Sequence, residues 1–297
     1  MSLEEAAEAL QVHYMTAYRY VRQGKLVAVR VKGQWQVSEE ALADFRKEKA
    51  QGQTLAPTRG DARRKGNYVT EIERCLSGGD FQGASQVVER AIQAGADIKA
   101  VYIDIISPAM SRIGERWASG EIDIAIEHQA TAVALRLQGQ LSARCSRRGR
   151  KRGEVLLGGP AGERHSLPMA ILCDLLRLEG WEVYDLGPDT PANSFVHAAS
   201  RIGAGLTAIG ISVTSPDSLD SAAETVSALR RAVGDEVPVI LGGQAIRGLE
   251  HARELGAGFF ADGAQGLIEL LSGFGRHAGQ DEAGTDDSGE SDSTESA

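Results

Sequence analysis

Five short apolar runs, at residues 155–157, 181–186, 206–213, 239–241 and 258–261, alternate with helical stretches through the second half of the chain. Runs this short, bounded by glycine and polar breaks, read as strands. Strands that are apolar without alternation are buried on both faces, and strands joined through helices lie parallel. The pattern predicts a five-stranded parallel sheet covered by helices on both sides over residues 153–276, an α/β flavodoxin-like (Rossmann-like) fold.

In an open parallel sheet, ligands bind beyond the carboxyl ends of the strands, where loops and helix N-termini converge. The first strand is followed by Gly-Gly-Pro-Ala-Gly-Glu-Arg-His-Ser-Leu-Pro over 158–168, and the second by Gly187, Pro188, Asp189 and Thr190. After the third come Thr214, Ser215 and Pro216, and after the fourth Gly242 and Gly243. Glycines admit a bulky ligand close to the backbone, hydroxyls bind a polar tail, and one imidazole, His165, stands in the first loop. The ligand is expected to be large. Neither a G-x-G-x-x-G opening the first helix nor a G-x-x-x-x-G-K-[ST] occurs, which excludes the usual dinucleotide and P-loop readings.

The set Glu163-x-His165-x-x-Pro168, Ser212-Val213-Thr214 and Gly242-Gly243 resembles the cobalamin-binding domain of methionine synthases and B12-dependent mutases. That family's pattern is Asp-x-His-x-x-Gly, then Ser-x-Leu or Ser-x-Thr, then Gly-Gly. The resemblance implies that His165 ligates cobalt from below and that Ser212 and Thr214, flanking Val213, line the pocket for the displaced nucleotide tail. Gly242 and Gly243 would let that tail pass. Glu163, in place of Asp, would orient the imidazole through its second nitrogen, and Pro168 departs from the family's Gly. Ser166, Asp189 and Thr190 join the candidate cofactor-binding residues by their places in the loops. Adenosylcobalamin is the expected cofactor, with methylcobalamin or hydroxocobalamin as alternatives.

Upstream, helical stretches at 67–77, 81–94, 98–117 and 123–144 are separated by Gly-Gly-Asp, Gly-Ala-Asp and Ser-Gly-Glu breaks. They predict a four-helix bundle over residues 67–146. His128 shares a helical face with Ala125, Thr131, Ala132 and Leu135, whose mostly small side chains leave room for a ligand. The spacing from Trp117 to the pair Glu127-His128 resembles the capping bundle of the CarH and LitR type B12-dependent photoreceptor regulators. By that resemblance the bundle is a cobalamin cap, Trp117 packs on the adenosyl group, and Glu127 and His128 lie beside it. Those regulators carry a histidine immediately after the Trp, which takes the upper cobalt position after light. Here that place is held by Ala118, and a methyl cannot ligate a metal.

Residues 3–10 read as a helix and a second helix runs to about Gln23, ended by Gly24. Residues 27–31 and 35–37 form a basic hairpin around Lys32-Gly33, and Ser38 caps a helix ending near Lys49. Residues 1–49 thus read as a winged helix-turn-helix domain, similar to the MerR and excisionase superfamily. In that geometry Tyr14, Met15, Thr16, Tyr18, Arg19 and Arg22 face the major groove, and Arg30 and Lys32 of the wing reach phosphates. Ala17 and Val21 would face the core. Residues 50–66, with Pro, Gly, Thr and basic residues and no periodicity, read as a linker.

A net charge of -9 is an odd balance for a DNA-binding chain. The charges are segregated. Residues 1–66 hold 12 Lys/Arg against 8 Asp/Glu, a balance of +4, whereas residues 280–297 hold 7 Asp/Glu and no Lys/Arg. The stretch 277–297 is expected to be a disordered acidic tail. No apolar run is long enough to span a bilayer, and the acidic N-terminus lacks a secretory pattern, so a cytoplasmic protein is expected. Cys75, Cys145 and Cys173 have neither disulfide-framework nor zinc spacing.

Together these features predict a multidomain, non-enzymatic regulator. Its expected partners are a double-stranded DNA operator and further copies of itself, a homo-oligomer that by the family resemblance is a tetramer in the adenosylcobalamin-bound dark state. The resemblance implies a light-responsive repressor. A light-independent cobalamin-sensing regulator and a corrinoid methyl-carrier protein are the alternatives.

Overall fold

In a computed structural model of the chain, the described residues are 1–10, 17, 20–21, 26–31, 34–51, 59–146 and 149–277. They divide into two compact units, Met1–Arg63 and Arg64–Ala297. In the first, α1 (Leu3–Ala9) precedes an antiparallel hairpin of β1 (Ala28–Val31) and β2 (Gln34–Val37), then α2 (Glu39–Gln51). Ser2 and Glu5 cap α1 reciprocally. The Glu5 N–H donates to Ser2 Oγ at 3.2 Å and the Ser2 N–H to Glu5 Oε2 at 2.8 Å, which satisfies two otherwise orphaned donors. Ser38 Oγ caps α2 by accepting from the Ala41 N–H, as expected. Leu3, Ala6, Leu26, Val37, Leu42 and Phe45 form the core, and Ala17 is buried among them.

The second unit begins in α3 (Arg59–Ser77) and continues through α4 (Phe81–Gln93). Three consecutive segments, Ile98–Ala100, the π-helical Val101–Ile106 and Ser107–Ala118, form α5, and α6 is Ile124–Ser142. An aspartate opens each of the helices α4, α5 and α6. Asp80, Asp97 and Asp123 cap the following helices, accepting from the N–H of Gly83, Ala100 and Ala125. Helix α3 starts earlier than expected, because residues 59–66, read above as linker, are helical. Arg59, Arg63, Arg64 and Lys65 in that stretch favour a helix without supplying the apolar stripe that periodicity detects.

The sheet follows as β3 (Glu154–Gly158), β4 (Glu182–Asp185), β5 (Leu206–Ser212), β6 (Val239–Gly242) and β7 (Phe259–Ala261). All pairings are parallel, in the order β4-β3-β5-β6-β7. The switch point lies between β3 and β5, on either side of which the chain winds in opposite directions. On one face Leu156, Ile209, Ile211 and Leu241 pack with α8 (Ala192–Ile202) and α9 (Leu219–Val233). On the other, Val155, Leu157, Ala208 and Ile240 pack with α7 (Leu167–Leu178) and α11 (Gly263–His277). The short α10 (Leu249–Glu254) joins β6 to β7. None of the described helices is long and apolar enough to cross a membrane.

The first strand ends in glycine because α8 presses against it. A Cβ on Gly158 would lie 2.5 Å from the Phe195 ring, and Phe195 is fully buried. Phe195→Ala is expected to cost about 3–5 kcal/mol through a cavity at this crossing, read as a lowered denaturation midpoint with an unchanged slope.

Candidate functional site

The loop from β3 to α7 is organised by Glu163, which is 1% exposed. Its Oε1 accepts from the His165 backbone N–H at 2.9 Å and lies 2.6 Å from His165 Nδ1. Its Oε2 accepts from the backbone N–H groups of Thr214 at 2.6 Å and Ser215 at 2.9 Å. One carboxylate therefore joins the loop after β3 to the loop after β5. Burial alone would raise its pKa, but the N–H groups of Ser215, His165 and Thr214 and the His165 ring hold it below the usual glutamate range.

The His165 side chain is 54% exposed. With Nδ1–H donating to Glu163, the lone pair is on Nε2, the nitrogen left for a ligand. Among the described residues no three His, Cys, Asp or Glu side chains group to hold a bare metal ion. A lone imidazole suits a metal whose remaining positions are already filled by a macrocycle.

Asp189 and Thr190 hold this loop from the β4 side. Asp189 has a left-handed backbone, φ 53°, which Asp tolerates better than most residues. Its Oδ1 accepts from the Gly162 N–H at 2.7 Å and its own N–H donates to the Glu163 carbonyl at 2.8 Å. The Thr190 N–H donates to the Gly159 carbonyl at 2.9 Å, and its hydroxyl to the Leu186 carbonyl at 3.1 Å. Both side chains are thus used within the protein. Ser166 directly precedes α7 but its hydroxyl does not cap that helix.

Ser212 closes β5 half-buried, and Thr214 is half-buried beyond it. The Val213 side chain is fully buried in the core, so only its backbone belongs to the site. Its N–H donates to the Gly242 carbonyl at 2.8 Å, and its carbonyl accepts from the Ala245 N–H. Gly243 has φ +99°, and a Cβ there would lie 2.3 Å from the Val213 carbonyl oxygen. At Gly242 it would approach the Ala261 carbonyl oxygen at 3.1 Å. The chain itself requires Gly243, so that the ends of β5 and β6 can close together.

On the bundle, Trp117 lies in the last turn of α5 with 45% of its surface exposed. Its neighbour Arg116 is tied to Glu73 at 3.3 Å and Glu121 at 2.8 Å. Glu127 accepts from the Thr131 hydroxyl at 2.9 Å, and His128 Nε2, on a 70% exposed side chain, lies 3.7 Å from Glu127 Oε2. None of these three side chains hydrogen-bonds the sheet loops among the described residues. Of the candidate DNA-contacting residues, Tyr14, Met15, Thr16, Tyr18, Arg19, Arg22 and Lys32 lie outside the described residues. Arg30 is in β1, paired with Trp35.

Residues 68–140 and 153–271 match two models described as B12 binding domains, and residues 1–50 match a helix-turn-helix domain. The chain carries B12-binding domains. Over 211 residues it is 24% identical to a corrinoid protein of Desulfitobacterium hafniense, covering 69% of this chain and 96% of that one. It is 23% identical to trimethylamine corrinoid protein 1 of Methanosarcina acetivorans, covering 70% and 96%. The HTH-type transcriptional repressor CarH of Myxococcus xanthus is 31% identical over 171 residues, 57% of this chain and 54% of that protein. The solved Methanosarcina barkeri monomethylamine corrinoid protein shares the fold, with a TM-score of 0.62 at 16% identity over 69% of this chain and 98% of that one.

The residues present fit a corrinoid. His165 offers one oriented nitrogen, and glycine backbone walls the end of β6. The buried Ser218 hydroxyl has no hydrogen-bond partner among the described residues and lies 3.6 Å from where a Cβ on Gly162 would stand. Ser218 and the Ser215 N–H were not legible as site groups in the sequence, since their roles arise where two loops meet. Glu163→Gln would turn an amide N–H₂ toward backbone donors and is expected to destabilise the fold by about 1–3 kcal/mol at neutral pH. Because the Glu163 pKa is depressed in the folded state, its contribution is complete above the ordinary glutamate value of about 4.3. It is lost as pH falls through the lower folded value. Denaturation of both proteins between neutral and acid pH should show the gap closing in that window.

Proposed function

We propose that this chain is a cobalamin-dependent, light-responsive transcription regulator, a repressor whose assembly and operator binding change when light acts on bound adenosylcobalamin. The observation that carries the reading is the helix-turn-helix match at residues 1–50 ahead of two B12-binding matches in one chain. The partial likeness to a transcriptional repressor supports it. A DNA-reading module has no use in a methyl carrier.

Bound adenosylcobalamin supplies a cobalt–carbon bond that green light can break. In this reading His165 Nε2 would hold the metal, with Glu163 fixing the ring so that this nitrogen keeps its lone pair. Trp117, exposed in the last turn of α5, would shield a group carried on the metal, so that a change in that group would alter the surface of α5. Ala118 offers no donor atom, which leaves His128 as the imidazole of the bundle. A bundle surface that differs between dark and light shifts the assembly, and a shifted assembly alters avidity for adjacent operator half-sites.

The corrinoid carrier is the second reading, favoured because the matched region spans 96% of a corrinoid protein. The two separate when the purified chain, loaded with adenosylcobalamin in darkness, is followed by absorption, size and retention of a random duplex library before and after green illumination. The regulator reading expects all three to change together. If light alters the spectrum while size and DNA retention stay constant, it fails. His165→Ala is expected to abolish the spectrum of histidine-bound cobalamin, and an unchanged spectrum would remove His165 from the metal.

A further inference from the structure

Helix α7 belongs to both halves of the second unit. Met169, Cys173 and Leu176 pack against the sheet, whereas Leu167, Ile171 and Leu175 are buried in the core of the bundle. The helix starts directly after His165 and Ser166.

From the middle of α7, Asp174 reaches the bundle with a side chain that is 0% exposed. Its Oδ2 accepts from the Tyr102 hydroxyl and from Gln138 Nε2, each at 2.7 Å. Its Oδ1 accepts from the Ser142 hydroxyl at 2.7 Å and from Arg177 Nη1 at 3.1 Å. Three of the four donors come from the bundle and only Arg177 from α7 itself. Burial and the carboxylate of Asp174 push the Tyr102 phenol far above its usual range, so it remains a donor. Tyr102 sits in the π-helical segment of α5. Such segments are rare inside α-helices and occur frequently at functional sites.

We propose that Asp174 is a positioning residue that locks the bundle to the helix carrying the His165 loop, and so controls how far bulky reactants reach the upper face of a bound corrinoid. The inference rests on the corrinoid site described above. Separating bundle from sheet would strip three donors from a buried carboxylate, which is far more costly than parting apolar surfaces. A group passed between the metal and a second protein must come within bonding distance of it, so a carrier has to swing its bundle aside. This clamp opposes that motion and leaves small ligands and light as the inputs, which suits a sensor.

The test uses the full chain and two variants, Asp174→Asn, close in shape, and Tyr102→Phe, which removes a single donor and leaves Asp174 three. Without corrinoid, amide hydrogen exchange is followed in residues 98–142 and in the sheet strands. With aquocobalamin bound, the rates of replacement of its water by cyanide and by the bulkier thiol glutathione are compared at equal folded fraction. The expected result is a roughly tenfold rise in bundle exchange, with the strands unchanged, and a similar rise in the glutathione rate while the cyanide rate stays constant. Exchange that rises uniformly, or a glutathione rate that does not move, overturns the clamp. If the unsubstituted chain takes up no corrinoid, the corrinoid reading falls, while the exchange data alone still decide whether Asp174 locks the bundle.

Discussion

The site depends on one buried carboxylate. Glu163 has no water to solvate it, so it stays charged only because four N–H groups from His165, Thr214 and Ser215 point at it. Those donors belong to loops that follow different strands. Because β3 and β5 are adjacent at the switch point of the sheet, their loops come close enough for one side chain to bridge them. The fold thereby sets the orientation of the His165 ring, and the ring's exposed nitrogen is the group that faces a ligand.

Asp174 repeats the same physics at a second junction: it too is a fully buried carboxylate, and it too joins segments that lie far apart in the chain. Where Glu163 uses backbone donors, Asp174 uses side chains from the bundle. Backbone donors fix a loop with little freedom to yield. Side-chain donors from separate helices tie those helices to α7, which makes the second junction a lock between bundle and sheet. Helix α7 links the two, beginning at the His165 loop and carrying Asp174 at its centre.

Much of this was legible in the chain before any coordinates. Short apolar runs gave the strands to within a residue or two, because a strand buried on both faces leaves a continuous apolar record. The glycine and Asp breaks marked the bundle's helix starts, since an N-cap is a local device. The start of α3 was not legible, because an Arg- and Lys-rich stretch leaves no apolar stripe. Asp189 and Thr190 stood out as loop residues, yet their side chains brace the loop, and Val213 turns its side chain into the core. Sequence position cannot separate a residue that faces a ligand from one that supports its neighbour.

The sequence alone determined the order of modules, the parallel sheet, and the presence of an imidazole and carboxylate two residues apart in the first loop. Periodicity, capping and short motifs are local, and a linear chain records them directly. Only the tertiary structure decided that Glu163 closes on the β5 loop, that Gly243 is demanded by the Val213 carbonyl, and that Asp174 belongs to the bundle as much as to its own helix. Each of these depends on groups distant in sequence meeting in space, where burial makes an unpaired charge or an added methyl too costly to keep.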